Sequence, residues 1–440
     1  MKNKLILIFS LLCSIVMFSQ EGTKSFSLQE AIDFALENNR TAKNATLDIK
    51  AAEKQKWETT TIGLPQINGK IDYQNNVKQQ FDAIDFDQDG VIDFGAKQSI
   101  IPSIRMDQLL FDGSYLVGLQ SAKVFLEISK NAKEKTDLEI RKAVINAYGN
   151  VLLAEESVKI LERNIAVLKK NLNETTKIYE NGLEEEESVE QLQITLSSVE
   201  SNLSNTSRLK TLAYQMLNIT LGTEINSKTI LTDNLESLTA QNITIDLLNA
   251  EEKIENTIDF KIAENDKVSK ELLLKLEKSK ALPTLSAFAN ATYVGNNQKF
   301  RFLDSDQIWA GTAAFGVSLN VPLFSSGGRS ASTQRARINL EKAKEDLTET
   351  QQKLKLQIAS AKSDYQFAIE DYDNKKQNLN LAERIEQKNQ TKFFEGIASS
   401  FELRQAQTQL YSSQQEFLQA MLDVINKKAE LETVLNTINN

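Results

Sequence analysis

The chain has 440 residues, a net charge of −9 and a pI near 5.1, with no histidine and one cysteine. The side chains that usually carry acid–base, thiol or zinc chemistry at neutral pH are almost absent, which argues against common hydrolytic and metal-dependent enzymes and leaves a carboxylate-only enzyme open. Four prolines and sixteen glycines fit long uninterrupted helices, and no cofactor and no nucleic-acid partner are expected.

Residues 1–20 have the pattern of a secretory signal: Lys2 and Lys4, an apolar run Leu5–Val16, then Ser19 before a cut. Cys13 lies inside it, and Leu12 stands where a lipid-anchored leader needs a small residue, so no lipid anchor is expected. Loss of the leader takes the charge from −9 to about −11. No later segment is apolar for long enough to cross a bilayer as a helix.

Ser27-Leu28-Gln29-Glu30 is a capping box. It opens a helix that reaches about Thr60, with a weak point at Asn38-Asn39, and Gly63-Leu64-Pro65 stops it. The period then changes to two. Ile67, Gly69, Ile71 and Tyr73 alternate with Asn68, Lys70, Asp72 and Gln74; Ile100, Pro102, Ile104 and Met106 alternate with Ser103, Arg105 and Asp107. These predict strands over 66–74 and 99–109, each long enough to cross a membrane at a tilt. Pro102 costs its strand one ladder hydrogen bond. The loop between them carries Asp85, Asp87 and Asp89 at the spacing of a calcium loop. Position twelve of that loop is Ala96 rather than a bidentate glutamate, so no metal site is expected and the loop reads as solvated.

Phe111-Asp112-Gly113 leads into the run that organises the chain, a helix over 114–181. Ile140, Val144, Ala147, Val151, Ala154, Val158, Leu161, Ile165, Leu168, Leu172, Thr175 and Tyr179 follow steps of four and three. Such a heptad seam needs partner helices along its length, and at 1.5 Å per residue the run spans roughly 100 Å. An acidic turn over 182–187 and a helix over 188–221 follow. Residues 222–250 are weakly patterned and read as a connecting region.

The same order then recurs, displaced by about 212 to 218 residues. A helix from about residue 251 ends at Leu282-Pro283; strands are expected over 284–294 and 313–323; Phe324-Ser325-Ser326-Gly327 leads to a long helix over 327–394. A turn over 395–400 and a helix over 401–436 close the repeat. The seams of these helices are Leu354, Ile358, Ala361, Tyr365, Ala368 and Tyr372, then Leu403, Ala406, Leu410, Ser413, Phe417, Ala420, Val424 and Leu431.

The expected fold is mixed and mainly α, with long antiparallel coiled-coil helices, four amphipathic strands and a twofold internal repeat. Four strands cannot seal themselves in lipid, because an open edge leaves backbone groups unsatisfied. Identical neighbours would have to complete the wall, and three copies would give a barrel of twelve strands. Asn68, Lys70, Asp72, Arg105 and Asp107 would then face a wet lumen, while Tyr73, Tyr293 and Trp309 would either mark the membrane interface or be buried in a core or loop.

The opening Ser27–Asn39, the Leu-Pro pair before each first strand, the Phe-Asp-Gly exit, and the glycine turns followed by Val189-Glu190-Gln191-Leu192 and Phe401-Glu402-Leu403 resemble the TolC-type outer-membrane efflux family over residues 25–436. The resemblance implies a homotrimer in outer-membrane lipid, with a periplasmic helical barrel docked to a periplasmic adaptor (a membrane fusion protein) and through it to an inner-membrane pump of the RND, ABC or MFS type. It implies a passive duct for efflux or type I secretion. It also places a periplasmic gate at the turns, at Gly182, Glu190, Gly396, Glu402 and Gln405. A ring of Glu402 would repel itself and raise its own proton affinity; Gln405 stands where the family often has a second acid. The Glu184–Glu187 run is either a contact for a basic adaptor tip or simply solvated. The alternative of another class is a soluble periplasmic coiled-coil adaptor or scaffold, which accounts for the heptads but not for the strands.

Overall fold

The computed structural model describes residues 24–78, 96–249 and 253–436. The leader expected over 1–20 and the aspartates Asp85, Asp87 and Asp89 lie outside the described residues. The chain divides into two compact units, one of residues 1–47, 131–261 and 349–440, the other of residues 48–130 and 262–348. Each unit draws on both sequence repeats. No helix among the described residues is long and apolar enough to cross a membrane.

The first described elements are β1 (Lys24–Phe26), α1 (Leu28–Asn38) and α2 (Arg40–Thr61). The Ser27–Glu30 capping box forms in both directions, with the Ser27 N–H donating to Glu30 at 2.8 Å. The weak point at Asn38-Asn39 is a break. Asn39 turns extended, its side chain accepts from the Thr41 N–H at 2.7 Å, and it thereby starts α2. Then come β2 (Gln66–Asn75), β3 (Gln98–Phe111), α3 (Gly113–Glu180) and α4 (Glu186–Leu221).

The region expected to be weakly patterned contains β4 (Thr229–Leu231) and α5 (Leu235–Gln241). β4 pairs in parallel with β1. Strands of three residues give no periodicity to read, so this pairing had no sequence signal. The expected helix from about residue 251 begins later, as α6 (Ile258–Ser279), after a short 3-10 turn at Ile254–Asn256. The Thr257 hydroxyl accepts from the Phe260 N–H at 3.3 Å, so the start is set by a cap rather than by apolar pattern. Next are β5 (Thr284–Asn297), β6 (Trp309–Asn320), α7 (Gly328–Phe394) and α8 (Ser400–Leu435). β6 lies earlier than the expected 313–323, because Trp309 pairs with Gly295 at one end and Pro322 has no N–H to extend the other.

The core of the first unit is built from α1, α3, α4, α5, α7 and α8. Val144, Val151, Leu217, Ile358, Tyr365, Val424 and Leu431 are fully buried. The seam of α7 is buried at all six of its positions. Tyr148 ties the small sheet to the long helix: its hydroxyl sits 3.0 Å from the Phe26 carbonyl oxygen and 2.9 Å from the Asp233 carboxylate. The second unit holds one four-stranded antiparallel sheet in the order β2-β3-β5-β6. Its outer strands, β2 and β6, pair on one side only.

Candidate functional site: the sheet faces and the helix turns

The pairing register fixes which side chains share a face. Asn68 stands opposite Arg105, which stands opposite Asn290; Lys70 is in line with Ser103, Thr292 and Thr312. Asp107, Phe288 and Gly316 form the next row beyond Arg105. The register therefore gathers Asn68, Lys70, Asp72, Arg105 and Asp107 on one face. The opposite face carries Ile67, Ile71, Ile104, Phe315, Val317 and Leu319, all exposed in the single chain, Phe315 at 91 %. An apolar sheet face of this size needs a cover, and water is a poor one.

Charges on the polar face pair along their own strand. Arg105 reaches Asp107 through Nε at 3.0 Å and Nη2 at 2.9 Å, and Lys70 reaches Asp72 at 2.9 Å. Residues two apart on a strand share a face, so these pairs need no partner from across a lumen. Phe288 was missed by sequence pattern because it is apolar in a polar phase. Its ring lies over Gly316, and the Arg105 guanidinium stands 5.0 Å from the ring centroid. Pro102 sits in β3 opposite Ile71, in the stretch where the ladder to β5 is interrupted between Ile100 and Ser103.

The two long helices end alike. Gly182 and Gly396 both have φ 72°, the left-handed conformation that glycine adopts without strain. Gly182 N–H donates to Tyr179 and Leu183 N–H to Ile178; Gly396 N–H donates to Phe393 and Ile397 N–H to Lys392. Each is a Schellman closure. The residue after each glycine is apolar yet open to solvent, Leu183 at 78 % and Ile397 at 70 %. Sequence pattern passed over this pair, although Gly-Leu and Gly-Ile at equivalent repeat positions were the signal.

Beyond the glycines the turns diverge. α4 starts at Glu186, and its N-cap residue Glu185 makes no side-chain cap; Glu185, Glu186 and Glu187 are exposed, and Glu184 accepts from the Ser188 hydroxyl at 2.7 Å. α8 starts in a full capping box: Glu402 accepts from the Ser399 N–H at 2.8 Å and its hydroxyl at 3.1 Å. Those bonds favour the charged carboxylate, and they hold the Glu402 pKa below its usual value. Within one chain the direction is thus opposite to that expected of a ring of acids. Ser399-x-x-Glu402 is the same signature as Ser27-x-x-Glu30 and was legible. Glu190 and Gln405 are exposed.

Between these turns and the main core, α3 carries a second heptad line of buried polar residues, Ser157, Asn164 and Asn171. Asn164 donates to Gln414 on α8 at 2.8 Å, and Asn171 accepts from Gln390 on α7 at 2.9 Å. Gln407 and Thr175 are also buried there. Beside this line, a small apolar cluster of Ile165, Leu168, Leu192 and Val199 packs α3 on α4.

A family profile described as Outer membrane efflux protein matches residues 31–223 and 255–437. No curated protein matches the chain in sequence. Among solved structures, the outer membrane protein VceC of Vibrio cholerae is similar at 17 % identity and a TM-score of 0.73, over 93 % of this chain and 95 % of that one. The CmeC outer membrane channel of Campylobacter jejuni is similar at 16 % identity and 0.74, over 95 % and 90 %. The MtrE outer membrane channel of Neisseria gonorrhoeae is similar at 17 % identity and 0.71, over 93 % and 88 %.

Proposed function

The chain belongs to the outer membrane efflux protein family, and we infer that it forms, with two further copies of itself, a passive exit duct. Membership makes it an outer-membrane channel protein with its helices on the periplasmic side, and not an enzyme. The soluble adaptor or scaffold alternative is not favoured.

The observation that carries the trimer is the sheet. Among the described residues it has two open edges, β2 and β6, and an apolar face that none of them covers. In lipid those edges need neighbours, and cyclic symmetry provides them without leaving new ones. The apolar face then meets the acyl chains. The face of Asn68, Lys70, Asp72, Arg105 and Asp107 lines a water-filled lumen. The turns at Gly182 and Gly396 are the periplasmic end, where Leu183 and Ile397 offer apolar contacts to an adaptor and Glu190, Glu402 and Gln405 border the opening. The adaptor links the duct to an inner-membrane pump that supplies the energy, in efflux or in type I secretion.

Conductance decides this. Detergent-purified protein added to a planar lipid bilayer gives discrete steps, and cross-linking gives a three-copy species. A folded monomer that stays in plain buffer and never conducts would end the proposal.

A further inference from the structure

The first unit contains a polar cavity of about 350 Å³ that the duct does not explain. Its walls come from the start of α1 and from α3, α5 and α8, and they include Arg141, Asp233, Gln241, Lys428 and Glu432. Arg141 and Lys428 are largely enclosed, with side chains 22 % and 16 % exposed. Both face one carboxylate. Glu432 stands 3.8 Å from Arg141 Nη2 and 3.6 Å from Lys428 Nζ, separations that give attraction without a hydrogen bond. The Arg141 Nε is buried and has no hydrogen-bond partner among the described residues.

Asp233 does not make up the difference. Its Oδ2 accepts from the Leu28 N–H at 2.7 Å and lies 2.9 Å from the Tyr148 hydroxyl. Its charge is already offset at the N-terminus of α1, where the helix dipole favours an anion. Two enclosed cations therefore share one loosely held carboxylate, beside a buried donor with nothing to accept from it. Partly enclosed cations left in that state, with one guanidinium N–H buried and unpaired, carry a desolvation cost, and an oxygen-bearing anion relieves it.

We propose that this cavity binds a small oxyanion, of the phosphate or carboxylate class, with its oxygens accepting from Arg141 and Lys428. The bound ion fastens α3 to α8 beside the start of α1. It lies within the first unit, on segments other than the helix turns at Gly182 and Gly396.

Equilibrium dialysis of the detergent-purified full chain against radiolabelled inorganic phosphate tests this, with acetate as the second arm and sodium chloride holding ionic strength constant. The expected result is saturable uptake of one anion per chain, accompanied by a higher melting temperature than in chloride alone. The preferred arm tells phosphate from carboxylate. Arg141→Gln and Lys428→Gln each weaken uptake about ten-fold or more, while Lys344→Gln, on the exposed face of α7, leaves it unchanged. Should Arg141→Gln fail to fold, Lys428→Gln and the wild-type isotherm decide. The proposal falls if neither anion binds saturably below about 10 mM, if chloride stabilises equally, or if both variants bind as the wild type does.

Discussion

Phe288 of β5 and Gly316 of β6 occupy opposing positions of one cross-strand pair, and the ring fills the space that a side chain at 316 would need. A Cβ at Gly316 would meet the ring at 2.9 Å. The aromatic ring covers the glycine, a device that steadies strands lacking a side chain to pack.

Gly316→Val should therefore displace the ring and destabilise the sheet by about 1–3 kcal/mol. Heat-modifiability on gels checks it. Phe288→Ala should recover much of the loss in the double variant, because it removes the atom that the new side chain strikes. Additive losses would show that the two residues do not meet.

The turn glycines make a backbone prediction. Nothing lies within 4 Å of a Cβ built at Gly182 or at Gly396. Replacement by alanine there should cost about 1 kcal/mol each, wholly from the left-handed φ. Thermal melting of the two single variants should show equal shifts. Asparagine, which tolerates that conformation, should cost less than alanine.

Glu402 gives a pH dependence with a fixed sign. Its folded pKa lies below the ordinary 4.5 because Ser399 donates to the charged form. The unfolded chain therefore takes up a proton first as pH falls. The contribution of Glu402 is fully present above the unfolded pKa and is lost as pH drops through the folded one. Wild type should exceed Glu402→Gln in protection of the first-turn amides of α8 at pH 7, with the gap closing below about pH 4. Hydrogen exchange reads this out. A gap that widens in acid would mean that the carboxylate is held neutral, as a ring of acids would hold it.

The buried polar line of α3 can be tested as a pair. Asn164→Ala leaves the part-buried Gln414 without its 2.8 Å partner and should cost about 1 kcal/mol. A cycle with Gln414→Ala should return a coupling near 1 kcal/mol. Replacing both by leucine should be close to neutral or stabilising.

Leu183→Ser and Ile397→Ser change only exposed side chains, so melting should move by less than about 0.5 kcal/mol. If the turns anchor the proposed periplasmic adaptor, capture of an adaptor by these variants should weaken by more than about 1 kcal/mol. Unchanged capture would move the docking surface elsewhere.

Long, strictly periodic elements were legible in the sequence because periodicity is itself a burial pattern. The seam of α7, the alternation of β2 and β3, and the glycines at both turns could each be read from spacing alone. The parallel pair of β1 with β4 could not, since pairing between strands of three residues is settled by what Tyr148 and Asp233 bring together across the chain. Nor could Phe288, whose place depends on a glycine in the next strand. The same holds for the cavity of Arg141 and Lys428, two cations 287 positions apart in sequence. Local pattern states which face a residue presents. Only the assembled chain decides what that face meets, because the partners come from distant segments and their energies depend on contact.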